Sequence, residues 1–79
     1  MIHAREDYNR IQDPEGKIAE DEPVFMVRAK DILSKDVMRY WAARHIKEGG
    51  DREMAQMVLD HANLAEEWQK KNGCKVADL

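Results

Sequence analysis

The residues best placed for chemistry in this 79-residue chain are Arg28 and Lys30, followed by Asp31 and then by Ser34. They stand where a short strand should end and a helix should begin. A strand end, a helix N-terminus and basic side chains together favour a phosphate or a carboxylate. Arg39 lies one helical turn beyond Lys35 and can face the same space. The plainer reading pairs Arg28 and Lys30 with Glu20, Asp21 and Glu22 as surface ion pairs, which are worth little.

Two histidines, His45 and His61, fall near the middle of apolar helix faces. In an antiparallel hairpin turning at Gly49-Gly50, position 45 meets roughly 54–55 and 61 approaches Met38. The imidazoles then lie about two turns, or about 10 Å, apart, too far to share one metal ion. No cysteine or carboxylate partner stands at metal-ligand spacing, so no metal is expected. A buried, hydrogen-bonded histidine is the plain reading of both. The sharper one lets His61 line a pocket and touch a ligand.

Nucleophilic chemistry finds little support. The one serine, Ser34, reads as a helix cap, and Cys74 lies in a polar tail where nothing supplies a general base. No pair of carboxylates has acid–base spacing, and Gly49-Gly50 lacks the lysine signature of a phosphate loop. A non-enzymatic protein without a cofactor is expected.

The elements that must position these residues follow from periodicity and punctuation. Residues 1–22 show neither helical nor strand period and read as an extended arm, with a type I turn at Asp13-Pro14-Glu15-Gly16. Tyr8, Ile11 and Ile18 are its apolar anchors. Residues 23–29, Pro23-Val24-Phe25-Met26-Val27-Arg28-Ala29, form the one candidate strand. A lone strand leaves its backbone groups unpaired. It must therefore join the arm, the C-terminal tail or another copy of the chain, and this is the main sequence argument for a dimer.

Ser34 opens a helix over 34–48, on which Val37, Met38, Trp41, Ala42 and His45 share an arc of about 140°. Gly49-Gly50 ends it, and Asp51 caps a second helix over 51–72. Met54, Met57, Val58, His61, Ala62, Leu64, Ala65 and Trp68 keep a helical period along it. So short a joint makes an antiparallel hairpin. Trp41 and Trp68 read as core residues, while Met38, Met54 and Met57 could instead form an adaptable docking surface. Residues 73–79 are a tail. The expected fold is mainly α: arm, one short strand and helical hairpin in a single small domain, completed by a homodimer or larger oligomer.

Charge divides the chain: residues 1–22 carry a net −4, residues 23–50 a net +3 and residues 51–79 a net −2. An acidic arm thus precedes a basic centre, and either the arm or an external anion should meet it. The overall net charge of −3 and tryptophans on apolar faces speak against a nucleic-acid partner. No apolar run approaches the ~20 residues of a membrane span. The Met1–Asp7 start lacks the layout of a secretory signal. With a single cysteine, these features point to the cytoplasm.

Tyr8-Asn9-Arg10-Ile11-Gln12-Asp13-Pro14, then Glu22-Pro23-Val24-Phe25 and Arg28-Ala29-Lys30-Asp31, resemble small proteins encoded by tailed phages and prophages. The likeness extends over most of the chain to Val76-Ala77-Asp78-Leu79. It implies a small accessory protein of an infected or lysogenic bacterium, one that binds rather than catalyses and acts against host defence. In that setting the arm matters, because Tyr8, Arg10 and Gln12 alternate and an extended arm would present them on one side. With Arg28 and Lys30 they offer stacking, charge and amide hydrogen bonds to a nucleotide-like anion. The competing expectation is a protein–protein inhibitor or adaptor, docking on a host or phage protein through its helix face or acidic arm.

Overall fold

Two helices occupy the C-terminal half, α1 over Ser34–Lys47 and α2 over Arg52–Asn72. The computed structural model describes residues 1–78, so the end of the expected tail, Leu79, lies outside the described residues. Helix α2 starts as its sequence directs. The Asp51 carboxylate accepts from the amides of Glu53 at 2.7 Å and Met54 at 3.4 Å, satisfying donors that a helix start leaves open. Between the helices, Gly49 adopts φ +82°, a left-handed conformation that glycine takes without penalty. The helices then pack side by side as a hairpin.

Alanine makes the seam. Ala42, Ala55, Ala62 and Ala65 are the buried hydrophobic residues, joined by Ser34 and Gln69. Small side chains let the two backbones approach closely, leaving no room between them for bulk. The larger apolar residues are consequently displaced to one edge of the seam. Trp41 and Trp68, expected in the core, remain 39% and 40% exposed, and Met57 and Leu64 are more exposed still. Among the described residues, no fully buried side chain is larger than Ser34.

The expected serine cap is also corrected. Leu33 occupies the N-cap position of α1, and Ser34 is the first helical residue. Its hydroxyl instead accepts from Gln69 Nε2 at 3.1 Å inside the fold. The same Nε2 donates to the carbonyl oxygens of Ala29 at 2.8 Å and Asp31 at 3.2 Å. Gln69 Oε1 accepts from Lys35 Nζ at 3.1 Å. Gln69 therefore ties α2 to the chain segment that enters α1, and a buried amide is tolerated there because both its ends are bonded.

In the arm, Ile2–His3 forms strand β1 and pairs in parallel with β2, Pro23–Val24, in the register Ile2 to Pro23 and His3 to Val24. The strand is far shorter than the expected 23–29. After Ala4 donates to the Val24 carbonyl, the arm leaves in a 3-10 turn at Glu6–Tyr8, so residues beyond Val24 have no neighbouring strand. Farther on, the tail returns to make a bridge between Asp31 and Lys75. One copy therefore pairs Pro23–Val24 with its own arm, so this part of the expected strand needs no second copy. The expected turn is present: Gly16 donates to the Asp13 carbonyl at 3.0 Å, and the Asp13 carboxylate accepts from the amides of Lys17 and Ile18.

Candidate functional site: a cationic cleft

Arm, linker and tail meet around a cleft of about 360 Å³. Its cationic lining comes from all three: Arg5 from the arm, Arg28 and Lys30 from the segment before α1, and Lys75 from the tail. Asp7, Asp31 and Asp78 share the cleft, and the remaining wall includes Tyr8 and Phe25. The volume lies within the roughly 300–1,000 Å³ common to small-ligand sites.

Local structure explains the Arg5–Tyr8 pair. Positions three apart eclipse in a 3-10 turn, and the Arg5 guanidinium lies over the Tyr8 ring, 4.5 Å from its centroid. Arg5 is held in place by Asp7 through two bonds, at 2.9 and 3.1 Å, and donates to the Asp78 carbonyl at 2.8 Å. The tail is fixed from the other side. Lys75 donates from its amide to the Lys30 carbonyl and accepts at its own carbonyl from Ile32, while its ammonium meets Asp78 at 3.1 Å. That hydrogen bond, followed by the Lys75 charge, holds the Asp78 carboxyl below the usual carboxylate range.

Each of the three carboxylates is thus engaged: Asp7 by Arg5, Asp78 by Lys75, and Asp31 by the amide of Leu33 at 2.9 Å. Arg28 and Lys30 differ. Among the described residues neither side chain forms an ion pair, with Glu20, Asp21 and Glu22 or with any other carboxylate. Arg28 and Phe25 are exposed. Two cations without an ion pair among the described residues, beside an exposed aromatic ring, suit a small anion with a flat apolar part.

Of the residues singled out in the sequence, Tyr8, Arg28 and Lys30 come together here. The others do not. Arg10 and Gln12 are exposed and outside the cleft, because the 3-10 turn at Tyr8 breaks the alternation that would have aligned them. Arg39 spans the hairpin instead, meeting Glu66 and Asn63 at 3.1 Å each. His61 lines a separate groove of about 170 Å³ with Val27, Ala29, Met38, Leu64, Ala65 and Trp68. His45 is half-buried and stacks on Trp41 with ring centroids 4.6 Å apart, but its buried Nε2 has no hydrogen-bond partner. Arg5 and Lys75 are not among the residues that the sequence singles out. The i, i+3 spacing of Arg5 and Tyr8 was a usable signal, whereas the return of Lys75 depends on a distant backbone bridge.

Among the described residues, no group of three His, Cys, Asp or Glu side chains is arranged to hold a metal ion. No described helix is long and apolar enough to cross a membrane. No protein-family model, curated protein or solved structure matches this chain.

Proposed function

We propose that this chain is a non-enzymatic binding protein that takes up a small anionic, nucleotide-like ligand in the cationic cleft. The observation that carries the reading is the pair of cations without an ion pair among the described residues, Arg28 and Lys30, lining the same cleft as Phe25 and the Arg5-braced Tyr8. Arg28 and Lys30 hold the phosphate. Phe25 and Tyr8 flank the flat base, and Arg5 and Lys75, each paired with an aspartate, complete the lining. The resemblance to small phage and prophage proteins gives the binding a purpose, which is to sequester a nucleotide signal of host defence.

Isothermal titration against a panel of 5′-mononucleotides and cyclic dinucleotides tests this. Saturable binding to at least one of them is expected. Replacing Arg28 by Ala should weaken it by about tenfold or more, the loss of a charge-assisted hydrogen bond, while the melting temperature stays put. Silence across the panel, or binding undiminished in a chain carrying both Arg28→Ala and Lys30→Ala, would overturn the proposal. Silence, together with capture of a host protein that surface changes on α1 and α2 abolish, would favour the inhibitor or adaptor reading instead.

A further inference from the structure

The second unassigned surface is the apolar edge of the hairpin. At about 100° per residue, Met54, Met57, His61, Leu64 and Trp68 of α2 fall within an arc of about 80°, to one side of the alanine seam. Val37 and Trp41 lie on α1 in the same rotational sense from Ala42, and in an antiparallel hairpin that brings them to the same edge. The opposite edge is closed by Arg39 with Glu66 and Asn63.

We infer that a second copy of this chain covers the apolar edge, with α2 packed antiparallel on α2 of its partner about a two-fold axis near His61. Three observations select that occupant. First, a hairpin whose largest wholly buried side chain is Ser34 has almost no core of its own, so the cover must be present whenever the chain is folded. A copy of the chain always is. Second, Val37, Trp41, Met54, Met57, Leu64 and Trp68 together expose on the order of 600 Å² of side-chain surface, taking ~150–250 Å² for a large side chain. A two-fold pair would then bury about 1,200 Å², the threshold of a stable specific interface.

Third, the charges agree with this direction. Glu53 in the first turn of α2 and Lys71 in its last turn share one flank of the apolar arc, and neither is engaged among the described ion pairs. Antiparallel packing sets the acidic end of each α2 against the basic end of the other. In the register centred on His61, Met54 faces the partner's Trp68, and Met57 is level with the partner's Ala65. Both methionines can then enter the partner's groove beside His61, Leu64 and Trp68, where sulfur meets an aromatic ring.

The test uses the full chain with the exposed Cys74 replaced by Ser. In that background His61→Cys is expected to form a disulfide-linked dimer under mild oxidation, because the two-fold brings position 61 against its own copy. Gln56→Cys, exposed and well away from the apolar arc, is expected not to. Sedimentation of the unsubstituted chain should show a dimer, and Met57→Lys should shift it toward monomer. A folded monomer across the micromolar range would overturn the inference and leave the edge for a different protein. A dimer that cross-links at Gln56→Cys and not at His61→Cys would overturn the arrangement.

Discussion

The hairpin and the cleft are held by opposite means. In the hairpin, neighbours follow from helical period: small buried residues of both helices line the seam, and one capped joint sets the direction. In the cleft, residues 5, 28 and 75 meet because backbone segments far apart in the chain are tied by a few hydrogen bonds, with little apolar burial behind them. The lesson is a division of labour. The hairpin carries stability and the cleft carries charge, and one side chain, Gln69, connects them through the carbonyls of Ala29 and Asp31.

The sharpest way to break that division is at the joint. Gln69→Ala strips partners from Ser34 and from two carbonyls next to the cleft. It should cost about 3 kcal/mol, the penalty for leaving buried polar groups unpaired, and in a chain of this size that means a melting temperature lower by more than ~10 °C. Because Ala29 and Asp31 flank Lys30, nucleotide binding should weaken as well. Arg28→Ala, by contrast, should change binding and leave melting alone, and thermal melts paired with titrations separate the two.

A smaller effect is expected inside the hairpin. A Cβ on Gly50 would collide with the His45 ring, and that ring is backed by Trp41. Gly50→Ala should therefore destabilise by about 2 kcal/mol, as overpacking does, without altering ligand contacts. Adding His45→Ala should recover part of that loss, since it removes the ring that the methyl group strikes. Urea unfolding of the two single variants and the double variant measures the coupling. Additive losses would place the strain elsewhere.

Much of the hairpin was legible because its information is local: Asp51 as cap, Gly49-Gly50 as joint, and the α2 period from Met54 to Trp68. What periodicity could not show is which part of an apolar face touches the neighbouring helix. Alanine won that contact and the tryptophans lost it, because close approach rewards small side chains. The cleft was half legible. Arg28 and Lys30 are identifiable from type and position, but the alternation of Tyr8, Arg10 and Gln12 suggests an extended arm where the chain coils into a turn. Nothing near Lys75 in the sequence announces that its backbone returns to Lys30 and Ile32.

The smallest expected effect is on the cleft's tail. Asp78 has its carboxyl lowered by Lys75, so its contribution is fully present above the ordinary carboxylate range and is lost as the pH falls through the lowered value. The protection of the Ile32 and Lys75 amides, whose hydrogen bonds fasten the tail, should be high at neutral pH and fall on acidification below that range, once exchange is referred to the intrinsic rate at each pH. The amides of α2 should keep their protection over the same interval. Simultaneous loss in both regions would show that tail and hairpin open as one unit.

The central claim is that the cleft binds a nucleotide-like anion, and a nitrogen-15 NMR titration with the best nucleotide of the panel tests it most directly. Saturable shifts confined to the amides of residues 5–8, 25–31 and 75–78, and absent in Arg28→Ala, are the predicted result. Shifts confined to the exposed face of α1 and α2, or none at saturating nucleotide, would contradict it.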